Sequence, residues 1–136
     1  MLRLALVFAD PTIMAEITNK RVGELTRGVF KILLKHPDGL QVREVLSLLE
    51  KTVPITLFEN SDYPKHPGIR RFDKIVRFGT VGCVKAGWLI KSKGNWTLTD
   101  AGRKAYSEFV DPEAFRREIN RLYKVWSQNT PDTNRD

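Results

Sequence analysis

The chain is predicted to be a mainly helical α+β domain, on three observations. Apolar residues recur at three- and four-residue spacing in three segments of the earlier part of the chain. A short alternating hairpin then centres on Lys93-Gly94-Asn95, and two further helical segments follow it directly. With 136 residues, 41% of them hydrophobic, the chain can bury one core and is expected to form one domain with short extensions.

The first helix is expected at about 20–35, where Val22, Leu25, Val29, Ile32 and Leu33 form one apolar stripe. Thr18 or Asn19 can cap its start, and His36-Pro37-Asp38-Gly39 stops it. A second helix, about 41–51, carries Val42, Val45, Leu46 and Leu49 on one face, and Pro54 ends it. Residues 53–69 hold Pro54, Asn60, Asp62, Pro64, Pro67 and Gly68 and are expected to be one long loop, a length associated with function or mobility.

The third helix, about 70–86, turns Phe72, Ile75, Val76, Gly79 and Cys83 inward and spreads Arg70, Arg71, Lys74, Arg77 and Lys85 over the rest. Gly79 and Gly82 each cost on the order of 1 kcal/mol relative to Ala in a helix, so they signal close approach of another backbone or a ligand, or a bend. Gly87 suits the helix end. Strands are expected at 88–92 and 96–98 around a turn at 93–95. Thr99 caps a fourth helix at about 100–110, with Asp100 near its positive end. Asp111-Pro112 opens a fifth. Its apolar line, Phe115, Ile119, Leu122 and Trp126, can pack on the domain or join two copies in a homodimer. The expected organisation is an extension at 1–18, a domain at 19–128 and a flexible tail or linker at 129–136.

Charge narrows the function. Lys and Arg number 23 against 16 Asp and Glu, net +7, which predicts a polyanionic partner: nucleic acid first, an acidic membrane surface second. A single cysteine, Cys83, excludes an internal disulfide framework and points to a reducing cytoplasm. The apolar run at 4–9 is too short for a usual signal-peptide core or a membrane span. His36 and His66 are isolated, so no zinc site is expected. The chain has no Gly-x-Ser-x-Gly elbow, no phosphate-binding glycine loop and no Asp-x-Lys, Glu-x-Lys or Gln-x-Lys of the metal-dependent nucleases. The expectation is a non-catalytic chain with no metal and no cofactor.

Helix, helix, helix, hairpin, helix is the layout of a winged helix-turn-helix, in which the third helix enters a DNA major groove and the hairpin reaches a neighbouring backbone or the minor groove. The expected DNA-binding residues are Arg70, Arg71, Lys74, Arg77 and Thr80 of the third helix and Lys91, Lys93 and Asn95 of the wing. Arginines would read or clamp, lysines would hold phosphates, and Thr80 and Asn95 would supply hydrogen bonds. Phe58 and Tyr63, near the basic segment, are candidates to stack on a displaced base. Two rivals share the fold: a dimeric transcriptional regulator paired through the last helix, and a winged helix used for protein contacts whose basic face is incidental.

The run from Arg71 to Tyr106 resembles the N-terminal winged-helix domain of Mrr-type restriction endonucleases. The matching pieces are Phe78-Gly79, Lys85-Ala86-Gly87-Trp88-Leu89 and Gly94-Asn95-Trp96-Thr97-Leu98-Thr99-Asp100-Ala101-Gly102. Cys83 departs from the pattern, standing where a leucine is usual. The resemblance implies a module that reads double-stranded DNA, often modified DNA, within a restriction or defence protein. A separate or fused nuclease domain would do the cutting, and no membrane is involved.

Overall fold

A computed structural model describes residues 17–129, so all but 17–18 of the expected extension at 1–18 and all but 129 of the expected tail at 129–136 lie outside the described residues. The described residues form five helices and two small antiparallel sheets: α1 (Asn19–Leu34), β1 (Leu40–Gln41), α2 (Val42–Thr52), β2 (Asp62–Tyr63), β3 (His66–Arg70), α3 (Arg71–Lys85), β4 (Leu89–Ser92), β5 (Asn95–Leu98), α4 (Asp100–Glu108) and α5 (Pro112–Asn129). The α+β class is therefore correct.

The helix ends follow the local chemistry. Thr18 accepts a hydrogen bond from the Arg21 amide at the start of α1, and Thr99 does the same for Gly102 at the start of α4. Asp111 Oδ2 accepts from the Ala114 amide where α5 begins. Each such cap satisfies a backbone donor that the first helical turn leaves without a partner.

β1, β5 and β4 form one sheet in that spatial order. β4 and β5 are paired from Leu89↔Leu98 to Ser92↔Asn95, leaving a two-residue turn. Lys93 and Gly94 both have positive φ, 52° and 83°. This is the backbone of a type I′ turn, whose twist matches paired strands.

The segment at 53–69 is not the single loop expected from its prolines and glycines. It contains a second hairpin, β2–β3, whose register shifts at Asp62 and Tyr63. Short strands broken by Pro64, Pro67 and Gly68 leave no periodic signal. Glu59, only 2% exposed, fastens this insertion to α1 through two bonds of 2.8 Å from Arg21. Burial opposes ionisation of Glu59, but the Arg21 guanidinium and the Thr56 amide outweigh it and hold the carboxyl below its usual value.

The core lies between α1, α3 and α5. Leu25, Val29, Phe30, Val45, Leu49, Phe72, Val76, Phe115 and Ile119 are wholly buried. Phe30 meets the edge of Phe115 at 5.2 Å, and Trp88 lies 5.4 Å from Phe115. Such aromatic contacts add to the gain from area burial.

The glycines of α3 are explained by helix packing. A Cβ at Gly79 would stand 3.0 Å from Val22 of α1, and one at Gly82 would stand 2.6 Å from Ile119 of α5. Arg116, 5% exposed, also crosses from α5 to donate to the Gly79 carbonyl at 3.0 Å. The glycines thus admit neighbouring helices, and neither a ligand nor a bend is needed to account for them.

Of the two roles open to the Phe115, Ile119, Leu122 and Trp126 line, packing on the domain is seen for the first three. Phe115 and Ile119 face the domain's own core, and Leu122 packs partly against it. Trp126 stacks beside Tyr123 at 5.6 Å, with the Lys85 ammonium 4.3 Å from its ring. The stripe is filled from within because α5 lies along α1.

Candidate nucleic-acid interface

α3 presents one outward stripe. Phe72, Ile75, Val76, Gly79 and Cys83 are buried, which leaves Lys74, Arg77, Phe78, Val81 and Lys85 on the opposite side at helical spacing. Lys74 and Arg77 are exposed, and neither forms an ion pair among the described residues. Lys74 Nζ lies 5.5 Å from the Tyr63 ring centre.

Two contacts bring other segments to this stripe. The Val42 amide, first in α2, donates to the Gly94 carbonyl at 2.9 Å and seats the β4–β5 turn on the start of α2. Lys91 of β4 donates to Thr80 Oγ1 at 2.7 Å and to the Arg77 carbonyl at 3.3 Å, joining the hairpin to the middle of α3. Between α2 and α3 runs a groove of about 350 Å³, with Val42, Arg43, Leu46, Ser47 and Glu50 along one wall and Arg70, Asp73 and Arg77 along the other. Exposed Arg43, Lys74, Arg77 and Lys93 therefore come from three elements that meet in two places.

The eight residues expected to touch DNA divide on this geometry. Lys74, Arg77 and Lys93 are exposed. Arg70 is half-buried, and its guanidinium bonds Glu50 at 2.9 and 2.6 Å, Asp73 at 2.8 Å and Asn60 at 3.1 Å. Its charge is matched internally, and these carboxylates raise its pKa. Arg71 donates to Ser61 Oγ at 2.7 Å and to the Asp62 carbonyl at 2.9 Å, while its guanidinium covers Phe58 at 4.4 Å and Tyr63 at 5.1 Å.

That contact involves Phe58 and Tyr63, the two candidates to stack on a base. Tyr63 is 6% exposed, and the Arg71 guanidinium already lies over both rings. Together they anchor the β2–β3 hairpin. Thr80 is wholly buried, with its hydroxyl 2.9 Å from the Val76 and Arg77 carbonyls, so it cannot meet DNA. Asn95 donates to the Asp38 carbonyl at 3.2 Å and to Thr97 at 3.3 Å, tying β5 to the segment before β1.

Lys91, expected to hold a phosphate, is half-buried and packs against α3 and Trp96. Its ammonium sits 4.3 Å from the Trp96 ring and is held by α3. Burial, helped by the Arg77 charge, pushes its pKa down to about 8. Cys83 would pull the other way only as a thiolate, and burial pushes that thiol up to about 12.

Arg43 was absent from the expected set because α2 was read for its apolar face alone. Its place in the first turn of α2, one residue from the Gly94 contact, is visible only in three dimensions. Lys65 and His66 at the β2–β3 turn are also exposed. Among the described residues no helix is long and apolar enough to cross a membrane, and no cluster of His, Cys, Asp or Glu could hold a metal ion. No protein-family model, curated protein or solved structure matches the chain.

Proposed function

We propose that this chain is a winged-helix module that binds duplex DNA, with α3 presented to the major groove and the β4–β5 turn as a short wing against the backbone. One observation carries the reading. The Val42–Gly94 bond and the Lys91 contacts on α3 draw Arg43, Arg77 and Lys93 towards one surface, and none of the three has an ion-pair partner among the described residues. Guanidinium and ammonium groups grouped in this way neutralise phosphates and release counterions, which supplies affinity independent of sequence. The type I′ turn keeps the wing short, so it supports contact with one phosphate rather than deep entry into a groove.

The resemblance to Mrr-type N-terminal domains extends the reading to target recognition in a restriction or defence protein, with modified DNA among the targets. The dimeric-regulator reading is weaker, because Phe115 and Ile119 are already buried within the chain.

The test is fluorescence anisotropy on a duplex of about two helical turns, from about 50 mM salt upward. The expected result is salt-sensitive binding that the combined Arg43→Gln, Lys74→Gln and Arg77→Gln variant loses, with its thermal melt preserved. Absence of duplex binding at the lowest salt would leave the protein-contact reading in its place. A comparison of unmodified duplex with duplex carrying methylated cytosine or methylated adenine then tests the modified-target extension.

A further inference from the structure

α2 bounds a second groove on the side that faces α1. Gly28 and Ile32 of α1, Leu48 of α2 and Val53 just beyond it give mostly apolar walls to a cleft of about 350 Å³. The groove towards α3 is lined by Arg43, Ser47 and Glu50 instead, so the two clefts use different faces of α2. Gly28 leaves its part of the wall without a side chain, since a Cβ there would stand 2.6 Å from Leu49 Cδ1. A cleft of this volume lies at the small end of the range of small-molecule sites.

The charge around this cleft has one sign. Lys31, Lys35 and His36 also line it, and no Asp or Glu does. Lys31 and Lys35, the C-cap residue, are exposed and four residues apart, hence on one face of α1. Neither forms an ion pair among the described residues. The last carbonyls of α1 carry roughly half a negative charge, which two ammonium groups exceed. Cations beside apolar walls suit a ligand with a carboxylate head and a short hydrocarbon chain. The chain displaces water from the walls, and the head accepts charge-assisted hydrogen bonds from the ammonium groups. A free phosphate would leave the walls wet, and a neutral hydrocarbon would leave the lysines unused. We infer that the α1–α2 cleft binds a small amphiphilic carboxylate, with Lys31 and Lys35 on its head and Ile32, Leu48 and Val53 along its chain. The site shares no residue with the duplex surface and does not depend on the duplex reading.

Octanoate is the probe, followed by amide NMR of the full chain at constant ionic strength. Millimolar octanoate should move the amides of 28–36 and 48–53 and leave those of 71–85 in place. Butyrate, with too little chain, and octanol, with no charge, should both bind more weakly. The double variant Lys31→Glu, Lys35→Glu changes exposed side chains only, so its amide spectrum should remain that of a folded chain. It should bind octanoate more weakly by up to about fivefold for each lysine lost, the upper range for an exposed ion pair. The reversed charges should also make it prefer octylammonium to octanoate. Equal affinity for octanol and octanoate, or an octanoate affinity that the double variant keeps, overturns the assignment of the lysines and the inference with it. Absence of shifts at millimolar octanoate, or shifts centred away from 28–36 and 48–53, overturns the site. Either failure leaves duplex binding by the wild-type chain untouched, since the anisotropy test uses no carboxylate.

Discussion

Lys91 and Lys93 stand two residues apart on one hairpin, and the structure gives them different work. Lys93 occupies the left-handed position of the turn with its side chain exposed, whereas Lys91 is bonded to α3. Lys93→Asn removes the charge but suits the backbone, since Asn-Gly is the preferred pair for a type I′ turn. If Arg43, Lys74, Arg77 and Lys93 each neutralise one phosphate, log affinity should fall against log salt with a slope of about −3.6. A fourfold rise in salt, from about 50 to about 200 mM, then weakens binding roughly 150-fold. With Lys93 gone the slope becomes about −2.7 and the same rise costs roughly 40-fold. Anisotropy titrations across that range resolve the difference. Lys91→Met should leave the slope near the wild-type value. An unchanged slope in Lys93→Asn, or an equal loss of slope in Lys91→Met, would refute the assignment of the two lysines.

The pKa of Lys91 makes a stability prediction. Its folded value of about 8 lies below the ordinary value of 10.5, so between them the unfolded chain binds more protons than the folded one. The group's contribution to stability therefore rises as pH climbs through that window, and below about 8 its burial is fully unfavourable. Urea unfolding near the two ends of that window should show a wild-type gain that Lys91→Met lacks, and matching gains would refute it. Gly82→Ala places a Cβ 2.6 Å from Ile119 Cγ2. The strain of about 1–3 kcal/mol should exceed the roughly 1 kcal/mol gained from helix propensity, and Ile119→Leu, which lacks the Cγ2 branch, should return part of the loss. A more stable Gly82→Ala protein would show that α3 and α5 do not approach as described. Arg71→Ala should uncover Phe58 and Tyr63 and loosen the β2–β3 hairpin. Amide exchange at 62–70 should accelerate by about tenfold or more while α1 is little affected, as expected for local opening; unchanged exchange would mean that Arg71 is not the anchor.

Periodicity alone was enough to read α1, α2, α3 and α5, because each must bury one apolar stripe and the stripe is written at helical spacing. The caps at Thr18, Thr99 and Asp111 and the turn at Lys93-Gly94 were equally legible, since they depend on neighbours three residues away or fewer. The β4–β5 hairpin followed from the same local signals. The β2–β3 hairpin did not, because its strands are too short and too interrupted to show alternation.

What the sequence determined by itself was the set of helices, the hairpin turn and an excess of positive charge. Only the tertiary structure decided which cations are exposed. Arg70, Arg71 and Lys91 look like Lys74 and Arg77 as letters, yet they are held by Glu50, Phe58 and Thr80, which lie 11 to 20 residues away along the chain. The physical reason is one of range. Backbone preferences and caps are settled within a helical turn, whereas the fate of a long charged side chain depends on which acceptors, rings and carboxylates folding brings within a few ångströms of its tip.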